Sequence, residues 1–321
     1  CACFLADIGK KTYLCILFHD YFMPIDMDYI SAKEYACFHG ISERTVRNYC
    51  AQGRLSGAVL VGKTWSIPFD TPLPVRINAR TVISPLLKAL REQKAARIKG
   101  GIYHRTQIEL TYNSNHIEGS RLSKEQTRYI FETNTIGVTD VAVRIDDIIE
   151  TINHFRCIDF IIDRATEPLT ESIIKQIHRI LKSGTSDAQK DWFAVGEYKR
   201  LPNEVGGVET TEPEAVGAAV RELLEEYRAK KTVILEDILD FHQRFEAIHP
   251  FQDGNGRVGR LIMFKECLRC CIVPFIITDE LNMFYYRGLS QWPHTPGYLL
   301  DTCLTAQDRY KTLLDYFRIK Y

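Results

Sequence analysis

Apolar residues recur at three- and four-residue spacing through most of the chain beyond position 83. The clearest stretches are 86–98, 141–162, 170–181, 215–227, 235–248 and 298–317, and each predicts a helix with one face on a shared core. The rhythm breaks between Val195 and Val208, where GEYKRLPNEVGGV has strand-like pieces around a Pro and Asn turn, so a hairpin is expected over 196–208. Before position 83 the elements are shorter. Ser31 followed by Glu34 is a capping-box signature that opens a helix over SAKEYACFH, and Gly40 closes it. Ser42 caps a second helix, ERTVRNYCAQ, which Gly53 terminates. In AVLVGKTWSIP strand formers flank Gly62 and Lys63, as a hairpin requires. The run Asp70, Thr71, Pro72, Leu73, Pro74 can continue neither a helix nor a central strand. The chain therefore divides into a small domain over 27–68, a linker over 69–82 and a large helical domain over 83–321.

A length of 321 residues suits that division, and 45% hydrophobic with 26% charged residues is ordinary globular composition. Lys plus Arg equals Asp plus Glu at 41 each, so no net field draws the chain to nucleic acid or membrane, and charge must be weighed domain by domain. The ten cysteines lack the spacing of a disulfide framework, which points to a reducing, cytoplasmic setting. Cys267, Cys270 and Cys271 have a CxxC spacing with no second pair, and read as helix packing rather than a zinc site. The apolar run over 13–18 is too short to cross a bilayer and has no cleavage site behind it. The chain begins with Cys, while Met23 and Met27 stand just before the first patterned segment; residues 1–26 are left without a domain and are expected upstream of the natural start.

The chemistry concentrates in His249–Arg260, HPFQDGNGRVGR. Pro250 stops one helix, Gly254 and Gly256 allow close backbone approach, and the next helix offers unpaired N–H groups at its positive end. Arg257 and Arg260, three apart, share a helix face from which guanidinium groups can grip phosphate oxygens, and Asp253 beside them suits a magnesium ion partly held by phosphates. Taken singly, His249 could satisfy a buried carbonyl, Asp253 could be a cap and the arginines a solvated face.

Together these residues match the signature HPFx(D/E)GNGRxxR, and over about 83–321 the chain resembles the Fic family. The resemblance implies an all-helical domain with a small β-hairpin flap and transfer of AMP from ATP to a Ser, Thr or Tyr hydroxyl of another protein. In that reading His249 is the general base and Asp253 coordinates magnesium. Gly254, Asn255 and Gly256 donate to phosphates, Arg257 binds the β-phosphate, and Phe251 fixes the loop from the core. Asn282, Tyr285 and Tyr286 in ELNMFYYRGL resemble the family's nucleoside-side helix, with aromatic core packing the alternative; the following SQWPHTPGYL departs from the family pattern. The hairpin 196–208 corresponds to the flap that aligns a target protein segment as an added strand. Ser114 and Glu118 in SNHIEGS resemble the motif (S/T)xxxE(G/N) of self-inhibited members, on an inhibitory helix over about 111–120. There the Glu would withhold Arg260 from the γ-phosphate, or orient water to remove AMP from a modified target.

The small domain, with its order helix, turn, helix, wing, resembles excisionase or MerR-like winged helix-turn-helix domains. That likeness makes Arg44, Thr45, Arg47 and Asn48 the readers of DNA, with Lys63 at the wing. Five basic residues against two acidic between positions 31 and 68 favour phosphate contact, and a protein-docking role is the alternative. The fold class expected is mostly α, an all-helical Fic domain with its flap plus this winged domain. Two other functions stay open: a DNA-binding regulator whose Fic domain senses nucleotide, and transfer of another phosphate-linked group. Whether a second copy of the chain is a partner is also open.

Overall fold

The computed structural model describes residues 5–8, 11–14, 29–51, 53–69, 71–73, 83–137 and 142–321. The expectations for Met23, Met27 and most of the linker over 69–82 fall outside them. The chain forms two compact units, Cys1–Ala79 and Arg80–Tyr321.

In the first unit, strands β1 (Leu5–Ile8) and β2 (Lys11–Leu14) pair antiparallel. Next come β3 (Tyr29–Ser31), α1 (Ala32–Phe38), α2 (Glu43–Ala51), β4 (Val59–Val61) and β5 (Thr64–Pro68). The capping box forms: the Glu34 amide donates to Ser31 Oγ at 3.2 Å, and the Ser31 amide to Glu34 Oε2 at 2.9 Å. Gly40 and Gly53 adopt φ of 64° and 65° where the two helices end. β4 and β5 make the hairpin around Gly62 and Lys63, and β3 adds a third strand that sequence did not suggest, in the order β3-β5-β4. Tyr35, Val46, Leu55 and Ile67 form the small core between helices and sheet.

The second unit is helical: α3 (Pro85–Ala95), α4 (Ile102–Ile117), α5 (Lys124–Thr133), α6 (Ile145–Asp163), α7 (Glu171–Lys182), then the strands β6 (Glu204–Val205) and β7 (Val208–Glu209). After them come α8 (Pro213–Ala229), α9 (Leu235–Ile248), α10 (Asn255–Arg269), α11 (Asn282–Gln291) and α12 (Gly297–Tyr316). Local signals set many of the ends. Ser84 caps α3 ahead of Pro85, Thr170 caps α7, and Asn134 ends α5 in the left-handed region.

Thirteen of the fifteen residues of α10 are buried, which makes it the central helix. Val258, Leu261, Ile262 and Phe264 pack with Ile174 and Ile177 of α7, Ile158 and Ile161 of α6, and Phe241 and Phe245 of α9. The charged pair Lys265 and Glu266, buried within this helix, is satisfied by the Glu167 carbonyl, Tyr227 Oη and Arg269.

Two expectations need correction. The hairpin pairs only Glu204 with Glu209 and Val205 with Val208, and its turn is Gly206–Gly207 at φ of 59° and 80° rather than a Pro and Asn turn. A two-residue loop of this kind needs positive φ at both positions, which glycines adopt freely. The inhibitory helix is longer and earlier than 111–120: α4 starts at Ile102, stops at Ile117, and leaves Glu118 as its C-cap.

Candidate active site

The ends of α9 and α10 create the site. α9 stops because His249 turns left-handed, at φ 50° and ψ 62°, before Pro250. The loop is then pinned at four places. Phe251 is fully buried and stacks on His178, with ring centroids 3.9 Å apart. Its N–H donates to Asn255 Oδ1 and its carbonyl accepts from Asn255 Nδ2, both at 2.8 Å. The Lys199 amide donates to the Pro250 carbonyl at 2.9 Å, and Asn203 Nδ2 to the Phe251 carbonyl at 3.2 Å, tying the base of the hairpin to the motif. The Asn255 side chain, expected on phosphates, is thus spent on the loop; only its backbone N–H remains to serve a ligand.

Gly254, at φ 83°, is the N-cap of α10. The amide of Val258 makes the first intrahelical bond, to Gly254 O, so those of Asn255, Gly256 and Arg257 precede the ladder and suit an anion. His178 fixes the approach to this end. It accepts from the Gly196 N–H at Nδ1, 2.9 Å, which leaves Nε2 to donate to the Asp253 carbonyl at 3.1 Å. Burial pulls its pKa down to about 3, so the ring is neutral and the tautomer defined.

His249 is half-buried, and burial first, then Lys199, draws its imidazole below the ordinary value against the raising effect of the Glu246 main chain. It is therefore neutral near pH 7, the form that accepts a proton.

Asp253 Oδ2 lies 2.6 Å from Lys182 Nζ and 3.2 Å from an Arg257 nitrogen. Burial would raise this carboxyl, yet Arg257 and Lys182 hold it well below the usual carboxylate range. Arg257 is buried and its guanidinium also donates to Glu150. The side chain of Asp253 is 46% exposed, so the carboxylate can reach a ligand. Among the described residues no group of three His, Cys, Asp or Glu could by itself hold a metal. One ionised, half-exposed carboxylate fits magnesium whose other ligands are phosphates and water.

Arg260 is buried and is held through two of its three guanidinium nitrogens. Its Nε donates to Ser114 Oγ at 3.0 Å, and one terminal nitrogen donates to the Ser114 carbonyl at 2.9 Å and to Glu118 Oε1 at 2.7 Å. Ser114 and Glu118 thus meet Arg260 from 146 and 142 residues away. Gly119, at φ 87°, lets the chain leave α4 just after Glu118. A Cβ at Gly256 would stand 2.3 Å from Glu118 Oε1, so this carboxylate covers the first turn of α10.

Tyr285 is buried and its hydroxyl bonds His242 Nε2 at 2.6 Å, the core-packing alternative, while Tyr286 is 47% exposed. Burial, then the Glu118 carboxylate, raises the Tyr286 hydroxyl pKa. Asn282 Oδ1 is buried without a hydrogen-bond partner. In the other unit, Arg44, Arg47 and Asn48 are exposed on α2 and Lys63 is exposed at the hairpin turn. Arg47 pairs with Glu43 at 2.6 Å, and the Thr45 hydroxyl shares a 2.8 Å bond with Ser42 at the helix start. Cys267 is buried in the core, Cys270 half-buried and Cys271 exposed.

Sequence reasoning passed over His178, Lys182, Glu150 and Lys199. The available signal lay on α7, where His178 and Lys182 interrupt the apolar stripe of Ile173, Ile174, Ile177 and Leu181.

A histidine and the N-terminal end of α10 thus sit together in a helical bundle beside a short hairpin, an arrangement that suits an anion. Residues 168–267 match the Fic/DOC family, and the chain is similar to proteins named protein adenylyltransferases. It is 26% identical over 187 residues to "Protein adenylyltransferase Fic" of Nematostella vectensis, covering 57% of this chain and 42% of that protein. A probable protein adenylyltransferase of Aquifex aeolicus is 27% identical over 157 residues, 44% of this chain and 47% of its own length. The chain therefore spans less than half the length of these curated relatives. A Fic domain containing signaling protein from Bacteroides thetaiotaomicron superposes with a TM-score of 0.57 at 26% identity, over 71% of this chain and 94% of that one. Fic-1 (aa134–508) from C. elegans gives 0.56 at 18% identity over 73% and 72%, a likeness of fold alone. Among the described residues no helix is long and apolar enough to cross a membrane.

Proposed function

We propose that this chain is a self-inhibited protein adenylyltransferase, moving AMP from ATP to a Ser, Thr or Tyr hydroxyl of a target protein. The observation that carries the reading is His249, held below its ordinary pKa by burial, just before the α10 N-terminus, with Arg260 of that helix bound to Glu118 at 2.7 Å. Relatives whose printed names are protein adenylyltransferases support the donor and the reaction class.

In the reaction His249 takes the hydroxyl proton as that oxygen bonds to the α-phosphorus and the bond to the leaving pyrophosphate breaks. The amides of Asn255, Gly256 and Arg257 stabilise the phosphate charge in a fixed frame. Asp253 would hold a magnesium ion, which would supply further neutralisation of that charge. Arg257 serves the β-phosphate by giving up part of its pairing with Glu150, and Arg260 serves the γ-phosphate once Glu118 has left. Tyr286 borders the nucleoside side. The exposed pair of strands β6 and β7 offers open edges to an extended target segment, a mode that reads main chain more than side chains.

The test is His249→Ala with labelled ATP. Transfer should be abolished while ATP affinity stays within about twofold, because amides and arginines rather than the base hold the phosphates. Persistence of label transfer in His249→Ala would remove His249 from the base role.

For the first unit we infer DNA binding through α2 and the hairpin turn. The order of helices and strands and the exposed Arg44, Arg47, Asn48 and Lys63 support it.

A further inference from the structure

Lys182, the last residue of α7, has no place in the reaction described above, yet it lies at its centre. Its Nζ is 2.6 Å from Asp253 Oδ2, 2.6 Å from Glu150 Oε1 and 3.0 Å from Asp187 Oδ2, and its side chain is 2% exposed. Three acceptors use all three ammonium hydrogens. Contact with the carboxylates of Asp253, Glu150 and Asp187 favours the charged ammonium.

Its position separates it from the phosphate-binding groups. A Cβ on Gly254 would meet Lys182 Cδ at 3.7 Å, so the almost wholly buried side chain runs past the N-cap of α10. The ammonium touches the inner oxygen of Asp253, which Arg257 also contacts, while the side chain of Asp253 is 46% exposed. Lys182 therefore supplies a positive charge at a carboxylate whose outer part is available to a metal ion.

We propose that Lys182 is a positioning residue that acts as a fixed internal cation: it aims Asp253 and keeps divalent cations off this carboxylate until nucleotide phosphates arrive. The inference rests on the reading of Asp253 as the cation-binding side chain. A divalent ion on Asp253 would share one carboxylate with a buried ammonium, and the repulsion between them is screened far less than at a surface. Phosphates from a nucleotide add the negative charge that offsets this repulsion, and they donate the oxygens that complete the shell. The device makes metal binding conditional on nucleotide.

Manganese alone, titrated into the full chain without nucleotide and followed by the electron paramagnetic resonance of the free ion, tests it. Wild type should bind at least tenfold more weakly than Lys182→Met, and Lys182→Arg should behave as wild type because its charge persists. Lys182→Met/Asp253→Asn should lose the gained site. If circular dichroism finds Lys182→Met unfolded, Lys182→Met/Glu150→Gln, which removes one charge of each sign, takes its place with the same expectation. Equal nucleotide-free affinity in wild type and variant, with ATP still enhancing binding in both, overturns the role of Lys182 and leaves the Asp253 reading standing. Failure of any form to bind manganese even with ATP overturns both.

Discussion

At the scale of single residues the proposed self-inhibition rests on Glu118 and Arg260. The guanidinium is held by one carboxylate oxygen and by two atoms of Ser114, and all of its contacts lie inside the molecule. Charge-assisted bonds at a largely buried site are strong, so under the proposed function ATP alone would compete poorly for Arg260. Glu118→Gly removes the carboxylate that covers the first turn of α10 and frees the arginine to align the triphosphate. Self-labelling should rise by tenfold or more over wild type. Arg260→Ala in that background should erase most of the gain, so the two changes are strongly non-additive. Equal labelling of wild type and Glu118→Gly at saturating ATP and magnesium would reduce the contact to a structural ion pair. The same contact marks what can be read in a sequence. His249 to Arg260 is contiguous, and backbone rules for Pro, Gly and a helix end nearly determine its shape. The partnership of Glu118 with Arg260 spans 142 residues and was legible only through the family likeness of SNHIEGS.

Elements show the same division. Helices with strong apolar periodicity and clear caps, such as α7 and α9, fall close to their expected positions, whereas α5 and most of α4 went unnoticed. α4 explains why: Thr106, Gln107, Thr111, Asn113, Ser114 and Asn115 are buried polar residues, so its inward face does not read as apolar. Several of their partners come from other helices, as when Thr111 Oγ1 meets His154 Nδ1 at 2.9 Å and Asn115 Nδ2 donates to Thr151 at 3.1 Å. Lys182, Glu150 and His178 escaped notice for the related reason that tertiary packing of α6, α7 and α10 creates their roles. For α2 the exposed Arg44, Arg47 and Asn48 lead to a separate expectation. Full-length protein should bind duplex DNA with an affinity that falls as salt rises, and Arg44→Ala should lower the slope of log affinity against log salt by about one. An affinity indifferent to salt, or unaltered by Arg44→Ala, would favour a protein-docking role for this unit.

Across the molecule, stability is linked to pH by buried groups that hold the site. His154, His178 and His242 are each buried and pulled down to about 3, in every case chiefly by burial. The folded chain keeps them neutral, while the unfolded chain protonates them below about 6.5. Unfolding thus takes up to three protons between those values, and stability falls as pH drops through that window, by about 1.4 kcal/mol per pH unit for each proton. Glu246 acts in the opposite sense. Burial first, then Glu118, pushes it up to about 8 against the lowering effect of Arg260, so the folded state keeps a proton that the unfolded state gives up above about 4.5. Its contribution is complete below the unfolded value and is lost as pH rises toward 8. Three histidines outweigh one carboxyl up to about pH 6.5; above it only the carboxyl still titrates. The urea midpoint should therefore peak near pH 6.5 and decline on both sides. Glu246→Gln, which cannot ionise, should remove the decline between pH 6.5 and 8 and steepen the rise between about 4.5 and 6.5, where Glu246 opposes the histidines. A wild-type midpoint that is flat from pH 4 to 6.5, or an alkaline decline that survives Glu246→Gln, would show that these groups do not titrate as their burial requires.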